Sequence, residues 1–281
     1  MTGSPEILRY SAFAETPDGG NPAGVVLDAA GLDDERMQRI AAEVGYSETA
    51  FVTGREADGR HRVRYWSPAA EVPFCGHATV ATAVALAERD GPGEMTFATA
   101  AGDVVLTASA DVQGVTVAFT SVEPAVRELD APVLTRLLGM LGLHDDDLSP
   151  GFPPRESFAG NRHPVIVLAD RELFHQFRFA PGEVAALMRE QGWAGTVTVL
   201  HPEGDGVYLA RNLFPVGRIT EDPATGSAAA SVGAYLRAVG RPERIVHIRQ
   251  GGHVGRPSIL TVRIPSEGGI VVSGGATAIR D

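Results

Sequence analysis

The sequence predicts a mixed α/β protein of two pseudo-symmetric lobes, each wrapped around one buried helix. Three observations carry this. Residues 72–86 and 222–236 are helix-forming stretches made largely of Ala, Thr, Ser and Val, with no polar face. Such helices must be buried all round, and their small side chains let neighbouring elements approach closely. The two stretches also match one another at a constant offset. Pro73 meets Pro223, Gly76 meets Gly226 and Leu86 meets Leu236, each 150 positions on. The correspondence extends upstream at an offset of 147, where Arg64 to Pro68 lies over Arg211 to Pro215 and Gly45 over Gly192. Nearer the start, Gly20-Asn21 lies over Gly160-Asn161 at an offset of 140. One unit is written twice, with a period too long for a solenoid, and the expected arrangement is two lobes with a cleft between them.

In chain order, residues 7–13 read as a first strand, and the glycine-rich turn 19–24 leads into a second at 25–27. Residues 32–44 have helical spacing, with Asp33, Asp34 and Glu35 in the first turn where the helix dipole favours acids. Strands follow at 46–52 and 61–66, then the buried helix, then a pair of strands within 102–119 joined around Asp111 to Gly114. The composition changes over 122–155, which holds a helix at 132–143, the acidic run Asp145-Asp146-Asp147 and a proline-rich loop. These residues read as a connection between an N-terminal lobe, 1–121, and a C-terminal lobe, 156–281. The acidic run reads as a solvated loop rather than a metal site. The second lobe carries strands at 165–168, 196–200 and 206–213, a helix at 182–191, the second buried helix, and strands at 259–264 and 269–273. The last of these, from about residue 269, is a candidate to return to the first lobe.

Composition excludes several classes of function. The 281 residues, 44% of them hydrophobic, are enough to bury a real core. A net charge of −11 with singly scattered arginines argues against nucleic-acid partners and against an anionic membrane surface. No apolar run reaches the length of a membrane span, and no basic-then-apolar signal sequence opens the chain. The single Cys75 excludes an intramolecular disulfide and makes the cytoplasm the expected compartment. Every one of the 24 basic residues is arginine. Without lysine there is no Schiff-base chemistry and no Walker-type phosphate loop.

Where the copies differ, the unpaired residues are the candidates for chemistry. Glu48 aligns with Gly195 at the upstream offset, so its carboxylate has no twin. It precedes Ala50-Phe51-Val52, an apolar setting costly for a charge without a partner; the alternative is a surface acid at a strand edge. His77 aligns with Ser227, each just inside a buried helix, and reads equally as a capping or core histidine. Asp222, followed by Pro223, reads as an N-cap and N1 pair that also faces whatever occupies the helix mouth. Cys75 aligns with Thr225 and reads as buried and inert. Its closeness to His77 in sequence disfavours a thiol nucleophile and base pair, whose members normally converge from separate elements. The first-turn N–H groups of both helices, at Gly76 and Gly226, suit a small carboxylate.

Five motifs in order resemble the PhzF-like proteins, the phenazine-biosynthesis isomerase family related to diaminopimelate epimerase. They are Gly20-Asn21-Pro22-Ala23-Gly24, Ser47 to Val52, Phe74 to Thr79, Glu221 to Ala228, and Gln250-Gly251 with Gly255 to Ser258. The resemblance implies diaminopimelate-epimerase-like lobes, each a barrel-like mixed sheet around a central helix, usually assembled as a homodimer. It implies isomerisation without a cofactor or metal, by proton shift on a small carboxylate-bearing, unsaturated, amino-acid-derived substrate of secondary metabolism. Glu48 then resembles the family's proton-shuttling acid/base, with His77, Asp222 and Ser227 as polar neighbours and Gly76 and Gly226 as backbone donors. The epimerase branch uses two cysteines, and this chain has one, which argues against two-thiol epimerisation. A lobe pair of this kind without a competent base would instead serve as a metabolite-binding or scaffold protein.

Overall fold

The computed structural model describes residues 5–217 and 219–280, which divide into two compact units. The first holds the described residues up to Thr120 together with those from Ser273 onward, and the second holds Ser121–Val272.

The first unit runs β1 (Leu8–Ala12), β2 (Asn21–Val26), α1 (Asp34–Val44), β3 (Glu48–Arg55), β4 (His61–Trp66), β5 (Glu71–Val72), α2 (Gly76–Asp90), β6 (Gly93–Thr99), β7 (Gly102–Asp111) and β8 (Gly114–Thr120). Helix α1 starts where the Asp33 side chain accepts from the Arg36 N–H, and it ends at Gly45, whose left-handed backbone suits glycine. Met37, Ile40 and Ala41 on its inner face pack with Val26, Phe51 and Trp66. Helix α2 is buried continuously from His77 to Ala87, as its small side chains require, and packs on β1, β2, β3, β7 and β8.

The second unit runs β9 (Ala125–Glu128), α3 (Ala131–Met140), β10 (Arg155–Phe158), β11 (Arg162–Val167), α4 (Arg171–Gln176), α5 (Pro181–Gln191), β12 (Val197–Gly204), β13 (Val207–Leu213), α6 (Gly226–Ala238), β14 (Ile245–Gln250) and β15 (Ser258–Arg263). Its strands follow the order β9-β10-β11-β12-β13-β14-β15, with α6 packed on β9, β10, β11 and β15. The last strand, β16 (Val271–Ala278), pairs with β1 and with β8. That closes β1, β2, β3, β4, β6, β7, β8 and β16 into an eight-stranded barrel around α2.

The pairing pattern confirms the duplication. β1–β2 and β10–β11 are antiparallel, β2–β3 and β11–β12 parallel, and β3–β4 and β12–β13 antiparallel. β4–β6 and β13–β14 are then parallel, and β6–β7 and β14–β15 antiparallel.

The stretch 122–155 is folded into the second unit rather than standing apart as a connection. β9 pairs with β10, and Leu137, Leu138 and Leu141 join the core with Val184, Leu187 and Met188 of α5. β10 is hard to recognise because it buries Glu156, which Arg127, Arg162 and the Trp193 ring N–H partner. Their donors outweigh its desolvation and hold its carboxyl below the usual range. β6, β14 and α4 likewise add to the elements that periodicity shows.

The ladders also correct one alignment. Ala23 is level with Glu48 on β2–β3, and Val165 with Thr198 on the equivalent β11–β12. Thr49 opposes Trp66, and Val197 opposes Leu213. Both ladders set β12 at an offset of 148 from β3, so the counterpart of Glu48 is Thr196, not Gly195. The helix-ending glycines, Gly45 and Gly192, still align at 147. One extra residue between Gly192 and β12 accounts for the slip.

Candidate active site

In the first unit, three elements bring their polar groups to the start of α2. β2 opens with Asn21, β3 opens with Glu48, and Cys75 is the residue before the helix. Asn21 Nδ2 lies 3.2 Å from His77 Nδ1, and Ser47 Oγ lies 3.3 Å from His77 Nε2. The Cys75 thiol donates to Glu48 Oε2 at 3.4 Å, and His77 Nε2 lies 3.4 Å from the same oxygen. Cys75 Sγ is also 3.3 Å from His77 Nδ1. Cys75 and His77 are buried, whereas the Glu48 side chain keeps 22% of its exposure. Among the described residues, Glu48 is partnered by this thiol and this imidazole and by no arginine, unlike Glu156 and Glu221.

The backbone around Cys75 is anchored from inside the barrel. Thr79 Oγ1 donates to the Cys75 carbonyl at 2.7 Å, which leaves the Tyr65 hydroxyl as the donor to Thr79 Oγ1 at 2.6 Å. The Tyr65 ring meets Phe74 edge-on. Cys75 offers the helix no side-chain cap, so the first-turn N–H groups from Gly76 onward have no intrahelical acceptor.

In the second unit, the Asp222-Pro223 pair does not open α6. The N-cap is Thr225, three residues on, because Asp222 is held in the preceding loop. Its Oδ2 accepts from Thr225 Oγ1 at 2.5 Å, and Gln250 Nε2 donates to the Asp222 carbonyl at 2.6 Å. Gln250 also reaches Thr225 Oγ1 and accepts from the Thr225 N–H. Gly251 is required beside it, since a Cβ there would lie 2.6 Å from the Pro223 carbonyl. The Arg256 N–H closes this turn on the Gly251 carbonyl.

Ser227, in the first turn of α6, sits 3.1 Å from His163 Nε2. The Thr196 N–H is aimed at His163 Nδ1 at 2.9 Å. The Thr196 carbonyl lies 3.1 Å from the same nitrogen, but an amide hydrogen pointed at Nδ1 makes that atom the acceptor. The ring proton is therefore on Nε2, donated to Ser227, whose own hydroxyl is left to donate elsewhere. Complete burial lowers the His163 pKa to about 4, keeping the ring neutral; the contact with Thr196 opposes this. Gly195 makes room for it, because a Cβ at 195 would lie 2.4 Å from the imidazole Cε1.

The six sequence candidates thus fall into two sets. Glu48, Gly76 and His77 are together in the first unit, and Asp222, Gly226 and Ser227 are at or beside the α6 start in the second. Cys75, expected to be inert, touches both the acid and the imidazole. Asn21 and Ser47 were visible only as parts of motifs. His163 gave no local signal, because its partner Ser227 is 64 residues away.

Residues 10–281 match the family model for phenazine biosynthesis-like proteins, PhzC-PhzF. The chain belongs to this family. An uncharacterized isomerase of Deinococcus radiodurans is 37% identical over 93% of this chain and 88% of its own length. A trans-2,3-dihydro-3-hydroxyanthranilate isomerase of Pseudomonas aeruginosa is 30% identical, covering 96% of this chain and 95% of its own. The crystal structure of a Bacillus anthracis PhzF-family protein superposes with a TM-score of 0.84 at 26% identity, covering 98% of each chain. This chain is a PhzF-family isomerase. No described helix is long and apolar enough to cross a membrane.

Proposed function

We propose that this PhzF-family isomerase moves one proton between two carbons of a small, unsaturated, carboxylate-bearing metabolite derived from an amino acid. Glu48 is the acid/base. As carboxylate it takes a proton from carbon activated by the adjacent double bond, the electron pair shifts the double bond, and the protonated acid returns the proton at the far carbon. Substrate and product are isomers, so one residue completes the cycle and no cofactor is drawn on. The supporting observation is the setting of Glu48: a largely buried carboxylate at a helix start, touched by a thiol and an imidazole and, among the described residues, by no arginine.

His77 completes this reading. Asn21 Nδ2 can donate only to an unprotonated Nδ1, which leaves the proton on Nε2, toward Glu48 and Ser47. The imidazole then steadies the carboxylate in its basic form and can pass a hydrogen bond to the substrate. Each helix start offers donors of the kind that suits a carboxylate, the N–H groups from Gly76 in the first unit and those from Gly226 with the Ser227 hydroxyl in the second. Asp222 suits an ammonium or hydroxyl group. We assign the enzyme to the cytoplasm and to a homodimer, which light scattering on the purified protein tests.

The relative that acts on trans-2,3-dihydro-3-hydroxyanthranilate makes that compound the first candidate. Incubation with it and with related unsaturated amino acids in D₂O, followed by NMR, should show deuterium entering carbon. Because one acid returns the proton it took, part of the product keeps the substrate's own hydrogen; isomerisation at the parent's rate in Glu48→Gln, with or without solvent deuterium, would overturn the proton-shuttle assignment. Asp222→Ala, assayed alongside, decides whether the second set serves the same reaction.

A further inference from the structure

The three groups around Glu48 have a second chemistry in common. A carboxylate, a thiol and an imidazole are the donor types that zinc takes, and three protein ligands with an open fourth position is the pattern of accessible zinc sites. We propose that Glu48 Oε2, Cys75 Sγ and His77 Nε2 form a binding site for a zinc-like divalent cation, and that filling it reversibly silences the enzyme.

The geometry carries this. Bond lengths of ~2.3 Å to sulfur and ~2.0–2.1 Å to nitrogen and oxygen put the ligand atoms of a tetrahedral zinc about 3.3–3.6 Å apart. The three edges here are 3.4 Å from sulfur to oxygen, 3.4 Å from nitrogen to oxygen and 3.7 Å from sulfur to nitrogen. Cys75 Sγ also lies 3.3 Å from His77 Nδ1, so the ring is side-on to the sulfur, and seating the ion needs the His77 side chain to turn until Nε2 faces it. The ligands come from two elements, β3 and the start of α2, and one of them is already anchored through its backbone. Tyr65 and Thr79 fix the Cys75 backbone. Asn21 lies 3.2 Å from Nδ1, and a half-turn of its amide would let its oxygen accept from Nδ1–H, the outer contact a metal-bound imidazole uses. The exposed part of Glu48 supplies the entry and leaves the fourth position to water.

Binding forms a metal–thiolate bond, with the Cys75 proton released to solvent, and no redox change occurs. The same lone pair of Glu48 cannot hold the ion and remove a substrate proton. Silencing therefore rests on the proposed role of Glu48, whereas binding does not.

Protein stripped with EDTA and titrated with ZnCl₂ in a calorimeter should take up one ion per chain. CoCl₂ should give visible bands of tetrahedral cobalt and a near-ultraviolet thiolate charge-transfer band. Cys75→Ser should abolish the charge-transfer band. Cys75→Ser, Glu48→Gln and His77→Asn should each weaken zinc at least tenfold. The three are close in volume to the native residues, and circular dichroism checks their fold. Absence of saturable binding, or affinity unchanged in Cys75→Ser and Glu48→Gln, overturns the site. In the deuterium assay zinc should stop exchange and EDTA restore it. Metal binding by a protein whose isomerisation survives Glu48→Gln upholds the site and removes the catalytic reading of Glu48. Exchange that continues at saturating zinc overturns the silencing.

Discussion

The starts of α2 and α6 occupy the same place in two copies of one fold, yet their chemistry is opposite. At α2 an acid, an imidazole and a thiol share contacts, and the acid is partly exposed. At α6 the helix residue is a serine, the residue before β12 is a threonine, and a neutral histidine joins them from β11. His163 fills the place that the smaller Ser227 leaves beside its helix, and level with it Thr196 replaces the acid. On the function proposed above, one start changes its protonation state and the other keeps it. Duplicated scaffolds divide labour in this way because the backbone donors are set by the fold, whereas titratable groups need to be present only once.

Removing the acid is the sharpest way to break the comparison. Glu48→Gln keeps shape and deletes the base, so deuterium exchange should fall by about 10²–10⁴, the usual contribution of a positioned acid/base. Thermal stability should stay near that of the parent, because no buried ion pair is broken. Exchange within threefold of the parent would show that the two starts do not differ in the way described.

The second break concerns protonation at α6. The pKa of His163 lies at about 4 when folded, below the ordinary value near ~6.5. Between those values the unfolded chain takes up a proton that the folded chain refuses. Stability present above pH ~6.5 is therefore lost as pH falls, at up to about 1.4 kcal/mol per unit and about 3 kcal/mol by pH 4. In His163→Gln this slope is absent. Urea melts from pH 7 to pH 4 should show the parent losing its advantage over the variant, and parallel curves would mean that the histidine is charged when folded.

Much of this asymmetry was legible beforehand, and the remainder was hidden for physical reasons. The buried helices announce themselves because only small side chains can be enclosed on every side, and Glu48, His77 and Ser227 stand out by their missing twins. The counterpart of Glu48 did not, because a one-residue insertion after Gly192 moves the register of β12, and only hydrogen-bond ladders reveal register. Cys75 was judged by its neighbour in sequence, whereas Glu48 reaches it from another strand, 27 residues away. Asp222-Pro223 has the chemistry of a helix start, but its carboxylate is engaged by Thr225 and the helix begins there instead. Residues 122–155 looked like a connection because β10 hides a buried acid among its arginines.

A third test acts on the space between the groups. Gly195→Ala puts a Cβ 2.4 Å from the His163 ring and 2.7 Å from the Arg162 carbonyl, so the loop and the ring must both move. Overpacking of this kind costs about 1–3 kcal/mol. In a His163→Ala background the ring clash disappears and the carbonyl clash remains, so the same substitution should cost less. Equal costs in both backgrounds would place the strain in the backbone alone.

The smallest effect tests the bond on which the α6 description turns. Ser227→Ala leaves the His163 Nε2–H without its acceptor, and His163→Leu leaves the Ser227 hydroxyl without its donor. Each single change therefore loses the hydrogen bond and strands a polar group, while the double change strands neither at that position. The stability cost of the pair should fall short of the summed single costs by about 1 kcal/mol, the net worth of one such bond. That coupling should not fade below pH 4, where the charged ring still donates Nε2–H to Ser227 and only the contact of the Thr196 N–H with Nδ1 turns unfavourable. Costs that simply add at pH 7 would mean that Ser227 and His163 are neighbours without a shared proton, and the fixed serine donor would have to be given up.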